Sequence, residues 1–132
     1  MENNKIKTIV SWLLVLVWAI IIFGLSAMPG TGDHPYSLFY FVERKTFHVL
    51  EYFVLSILLW RAWAQNFSQK KSFWFAGITT LLYAASDEWH QTFVFGREGV
   101  LRDVVIDSIG IFLAVIFILK FKQWKEKRKQ LN

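Results

Sequence analysis

The chain has 132 residues, room for one domain, and 55% of them are hydrophobic and 18% aromatic, above the usual soluble range. It has no cysteine, which excludes disulfides, thiolate metal sites and cysteine nucleophiles. A water-soluble single core is therefore a poor expectation, and what the net charge of +5 means depends on where the basic residues fall.

The first element is the stretch TIVSWLLVLVWAIIIFGLSA, residues 8–27, which carries no charge. At about 1.5 Å per residue it reaches roughly 30 Å, one hydrocarbon thickness, so a transmembrane helix is expected. It exceeds the ~7–15 apolar residues of a cleaved signal peptide, and the bonds after Ala27 are poorly matched to small-x-small cleavage. MPGTGDHPYS, which holds both prolines, reads as a turn-rich loop with His34 exposed in it. A second apolar run covers residues 47–63, with His48 and Glu51 near its start and Arg61 near its end. A third covers residues 72–95 and runs into a polar cluster from Asp87 onward. The fourth, residues 104–121, precedes the basic tail KQWKEKRKQLN. The expectation is an all-α chain: one membrane-embedded four-helix bundle occupying residues 1–132.

With the amino terminus in the cytoplasm, eleven of the 15 basic residues fall on the inner side and four (Arg44, Lys45, Arg97 and Arg102) on the outer side. The positive-inside rule favours that orientation, a multi-pass cell-membrane protein with both termini cytoplasmic. The basic tail then reads as an anchor beside anionic headgroups rather than as a nucleic-acid surface. The seven tryptophans sit mostly toward span ends, as an aromatic belt requires.

The acidic residues distribute oppositely. Glu51, Asp87, Glu88, Asp103 and Asp107 all lie in the outer half or beyond it, with His48 and His90. Helical spacing puts Lys45, His48 and Tyr52 in one row with Glu51 beside His48, sets Asp87 beside His90 and Gln91, and stacks Asp103 on Asp107. A carboxylate at mid-membrane costs about 2.5–3.5 kcal/mol, so a shared polar pocket is a better expectation than charges scattered in lipid.

Three uses of such a pocket stay open. One is a neutral ion network that holds the helices together. The second is an anion site in which Lys45 and Arg97 receive a phosphate-bearing headgroup, with His48 or His90 as acid or nucleophile oriented by Glu51 or Asp87. The third is a divalent metal held by the pairs His48 with Glu51 and Asp87 with His90 plus Asp103 and Asp107, against which the adjacent cations argue. Gly96 and Gly99 read as turn residues, and Gly110 as a point of close helix packing.

The strings KTFHVLEY and ASDEWHQTFVFGREGVLRDVVIDSIG, with FGLSAMPG before them, resemble the VanZ-like proteins, small multi-pass membrane proteins linked by name to glycopeptide (teicoplanin) resistance. VFGRE departs from the family pattern in lacking a proline near residues 94–96. The resemblance implies that Lys45, His48, Glu51, Asp87, Glu88, His90, Gln91, Arg97, Asp103 and Asp107 are the functional set, with Ser26 from the end of the first helix. Among these, His48, Glu51, Asp87, His90 and Asp103 are the candidate catalytic residues. Lys45, Glu88, Gln91, Arg97, Asp107 and Ser26 are the candidate substrate contacts. The expected partner is an anionic envelope lipid or lipid-linked precursor, processed at a phosphate ester or merely bound so that antibiotic access to its target changes.

Overall fold

A computed structural model describes residues 2–30, 38–97 and 99–131. The expected exposure of His34 lies outside the described residues. Four helices follow in order: α1 Glu2–Ser26, α2 Leu38–Trp63, α3 Gln69–Gln91 and α4 Leu101–Gln130, with no strand among the described residues. Two boundaries differ notably from the sequence expectation. Helix α2 starts nine residues before the apolar run, so Arg44 and Lys45 stand on its first turns. Helix α4 continues through the basic tail, whose Lys, Glu, Gln and Arg are good helix formers. Helix α3 ends at Gln91, and residues 92–96 make the turn that leaves it.

Each helix buries one stripe at the 3.6-residue period. On α4 it is Asp103, Asp107, Gly110, Ala114 and Ile118. On α3 it is Ser72, Ala76, Thr80 and Ala84, widening to Asp87, Glu88 and Gln91. On α2 it runs Lys45, His48, Tyr52, Leu55, Ser56, Leu59 and Ala62. Helix α2 is the centre: it packs on all three others, most extensively on α4, while α1 lies along α2 and touches α3 only lightly.

Small residues set the approach distances. A Cβ at Gly110 would collide with the Val49 carbonyl and the Phe53 backbone nitrogen, so glycine is what lets α4 close on α2. Helix α1 is fastened by side chains to backbone oxygens. Trp18 Nε1 donates to the Glu51 carbonyl at 3.0 Å and the Tyr83 hydroxyl to the Ala19 carbonyl at 2.7 Å.

The two ends of the bundle differ in character. At one, Trp12, Trp60, Trp63, Phe67, Phe73 and Phe75 form a ring cluster, with the Lys122 ammonium 5.1 Å above Trp60. At the other, Gly30 N–H donates to the Phe95 carbonyl at 2.9 Å, tying the segment after α1 to the turn after α3. Gly96 takes φ +70° in that turn and lies against Gly30, a conformation and a proximity that a side chain would oppose. The polar parts of the three stripes all gather at this second end. Helices α1 and α4 are long and apolar enough to cross a membrane. Large apolar side chains stand exposed on α1 (Leu13, Leu16, Val17, Ile20), on α3 (Trp74, Ile78, Leu82) and on α4 (Val105, Ile109, Phe112).

Candidate functional site

Three helices deliver the polar groups to one layer. From α2 come Lys45, His48 and Tyr52, all buried and in the single row that their spacing predicts. From α3 come Asp87, Glu88 and Gln91, and from α4 Asp103 and Asp107, again all buried. Adjacent residues of α3 are both buried because that helix is packed on α2 along one side and α4 along the other. Asp87 therefore meets α2, and Glu88 meets the start of α4.

The pairings are specific. Lys45 Nζ forms an ion pair with Asp103 Oδ2. His48 Nδ1 lies 3.5 Å from Asp107 Oδ1, an ion-pair separation without hydrogen-bond geometry. The Tyr52 hydroxyl and Gln91 Nε2 both donate to Asp87 Oδ2 at 3.0 Å, and Gln91 Oε1 accepts from Arg44 Nη2 at 2.8 Å. A continuous chain thus runs from Tyr52 through Asp87 and Gln91 to Arg44. Glu88 Oε2 accepts the Val100 N–H at 3.1 Å, occupying one of the backbone donors that the start of α4 leaves unpaired.

Several residues stand otherwise than their spacing suggested. Glu51 does not orient His48 through a hydrogen bond; the imidazole turns its Nδ1 to Asp107, while Glu51 is half-buried on the shoulder of α2 that meets α1. Asp87 binds Gln91, four residues on, while the His90 ring packs on Phe23 of α1 with centroids 4.6 Å apart. Arg97 Nε and Nη2 donate to the Met28 and Leu25 carbonyls at 3.0 and 3.1 Å, satisfying the negative end of α1. Ser26 is buried in the last turn of α1, with its hydroxyl out of hydrogen-bonding reach of any described partner.

Beside this layer opens a cavity of about 390 Å³, lined by Leu25, Met28, Glu43, Arg44, Phe47, His48, Glu51 and Arg97. Its walls are mixed: apolar from Leu25, Met28 and Phe47, cationic from Arg44 and Arg97, and acidic from Glu43 and Glu51, with His48 among them. Lys45, Asp87, Glu88, Gln91, Asp103 and Asp107 stand behind it rather than in its lining. Arg44 and Tyr52 belong to the site without having been assigned a role by the motif. The signal for Arg44 was present: it precedes His48 by four residues and Glu51 by seven, the same face of a helix.

For metal binding, the group with ligand spacing among the described residues is His48, Glu88 and Asp107, whose donor atoms lie within 4.8 Å of one another. This differs from the pairs expected from sequence, because the contact is made across helices rather than along them.

A sequence model of the family described as VanZ/LLP1 matches residues 10–122. The relative named "Uncharacterized membrane protein YwnJ" from Bacillus subtilis (strain 168) is 37% identical over 70 residues, which is 53% of this chain and 44% of the relative. The chain therefore spans less than half the length of the curated relative it matches. No solved structure matches it.

Proposed function

The chain belongs to the VanZ/LLP1 family, and from that premise we propose a multi-pass membrane protein with both termini cytoplasmic, whose outer pocket binds the headgroup of an anionic envelope lipid or lipid-linked precursor and acts on its phosphate ester. All four helices form the membrane bundle in this reading. Helices α2 and α3 turn Lys45, His48, Asp87, Glu88 and Gln91 to the interior, which lowers their apolarity, and their exposed charges, Glu43, Arg61, Lys70 and Lys71, lie toward the helix ends. The observation that carries the reading is the lining of the cavity, where Arg44, Arg97 and His48 converge beside Leu25, Met28 and Phe47. Guanidinium groups suit phosphate oxygens, and the apolar wall suits the first carbons of a lipid chain.

The chemistry of this reading is hydrolysis or transfer. The oxygen of water or of an acceptor hydroxyl bonds to phosphorus and gives up its proton to solvent, the bond from phosphorus to the leaving oxygen breaks (the lipid's own oxygen in a monoester, the bridging oxygen in a diphosphate), and a proton is delivered to that leaving oxygen. His48, which borders the cavity and is backed by Asp107, is the group assigned to deliver it. Lys45 is paired with Asp103 behind the cavity and holds the layer together instead of touching the ester. The Tyr52–Asp87–Gln91 chain positions Arg44. A changed envelope lipid would be the route by which such a protein alters glycopeptide action.

The purified full chain, incubated in detergent with phosphatidic acid or a polyprenyl diphosphate, should release inorganic phosphate. His48→Gln should lower release by roughly a hundredfold or more, the usual scale of a lost proton-transfer group. Arg44→Gln should instead raise the half-saturating lipid concentration. Binding of either lipid without release would leave a non-enzymatic lipid binder, and neither binding nor release would end the reading.

A further inference from the structure

The layer behind the cavity concentrates buried carboxylates. Asp87, Glu88, Asp103 and Asp107 are all buried, and Lys45 is the one Lys or Arg among the described residues buried to the same degree. Lys45 pairs with Asp103, which Arg102 Nε also approaches at 3.6 Å. Asp87 is held by Tyr52 and Gln91. Glu88 and Asp107 remain, next to His48.

Polar atoms of these residues are among those left without hydrogen-bond partners, as are Oδ1 of Asp87 and Oδ1 of Asp103. Glu88 Oε1, both Asp107 carboxylate oxygens and His48 Nδ1 are buried without a hydrogen bond, His48 Nδ1 and Asp107 Oδ1 standing 3.5 Å apart, in residues 4%, 0% and 4% exposed. A buried carboxylate without a partner is costly, and three donors from three helices gathered within 4.8 Å make a pocket for a cation.

We propose that His48, Glu88 and Asp107 bind a divalent metal ion of the Zn2+ or Mn2+ class. One imidazole nitrogen with two carboxylates suits these ions, whereas Ca2+ takes about six to eight oxygen ligands. The Glu88 carboxylate serves two partners, Oε2 accepting the Val100 N–H and Oε1 facing the ion, which fixes its orientation as outer hydrogen bonds do for metal ligands. The Lys45 ammonium pairs with Asp103 and its charge also reaches Glu88 and Asp107, so the ion is held against one neighbouring cation. With Nδ1 on the ion, the other ring nitrogen of His48 keeps its proton and meets the cavity as a hydrogen-bond donor, so proton delivery by a His48 imidazolium belongs to the chain without the ion. The inference rests on the proposed reading of the cavity only for the use made of the ion, a charge placed beside a bound phosphate. Binding of the ion itself is independent of any lipid.

The test uses the full chain in detergent, stripped with a chelator, dialysed against MnCl2 or ZnCl2 without lipid and measured for bound metal. Wild type should hold about one ion per chain, and Glu88→Gln and Asp107→Asn should weaken uptake by roughly tenfold or more, since metal affinity needs the charged ligand. Glu88→Gln keeps an oxygen for Val100, so the start of α4 is preserved, and Asp87→Asn serves as an acidic-cluster control that should retain the ion. If the variants do not fold, wild type alone decides: bound Mn2+ should show electron-spin coupling to one histidine nitrogen. Uptake indifferent to Glu88 and Asp107, absence of nitrogen coupling, or no uptake at all would overturn the proposal and leave protons as the means of neutralising the cluster. Failure of lipid turnover with metal still bound would instead count against the reading of the cavity alone.

Discussion

At Asp87 one carboxylate oxygen takes two donors, Tyr52 and Gln91, and the second of these holds Arg44. Removing the phenol hydroxyl in Tyr52→Phe leaves Asp87 one buried hydrogen bond short. The expected loss is about 1 kcal/mol of stability, the ordinary net worth of such a bond, read as a lower unfolding midpoint in detergent. Gln91→Leu should act differently, because it releases Arg44 from its placement. A weakened affinity for phosphatidic acid with little change in maximal turnover is the expected signature, measured as a split between KM and kcat. That Asp87 and Gln91 would be buried with partners was legible in the sequence, because polar residues in an apolar run need them. Arg44 was not given a role, since hydropathy begins the second span at Phe47 and says nothing about a helix that starts in the interface at Leu38. The partner of His48 was also illegible: periodicity relates residues along one helix, and Asp107 lies on another.

Helix α4 meets α2 at Gly110, and the sequence suggested that close packing from glycine among larger neighbours. Gly110→Ala sets two effects against each other. Alanine favours the helix by about 1 kcal/mol, while a Cβ there meets backbone of α2, which cannot yield as a side chain would. Overpacking costs typically ~1–3 kcal/mol, so net destabilisation is expected, seen as a lower thermal midpoint with the helix content of the folded state retained. Helix α1 depends on a different device. The phosphate-fork assignment of Arg97 came from its residue type, but two of its guanidinium donors are engaged with carbonyls at the end of α1. That capping role leaves no trace in local sequence, because its partners are backbone oxygens about 70 residues away. It still places the guanidinium on the wall of the cavity, so the two roles coexist.

For the whole molecule, helix number and the gathering of polar residues at one end were readable from the sequence, because burying charge in an apolar chain is so costly that such residues must meet. The rotation of each helix about its axis was not, and it is rotation that selects Asp107 over Glu51 for His48 and Phe23 over Asp87 for His90. The proposed orientation makes a clean prediction, since the chain has no cysteine to confuse labelling. In intact cells a membrane-impermeant maleimide should label Phe95→Cys, in the turn after α3, and should label Lys127→Cys, on the basic end of α4, only after the membrane is opened. The reverse pattern would invert the topology and move the pocket to the cytoplasmic side.

The claim on which the account turns is that the end of α1, the start of α2 and Arg97 after α3, backed by the buried polar layer, shape one receptor for an anionic headgroup. Native mass spectrometry of the detergent-purified chain with phosphatidic acid and phosphatidylcholine in equal amounts tests it most directly. The account predicts retention of the anionic lipid by wild type and its loss in the folded double variant Arg44→Gln with His48→Gln. Equal retention of both lipids, or unchanged retention by the variant, would contradict it.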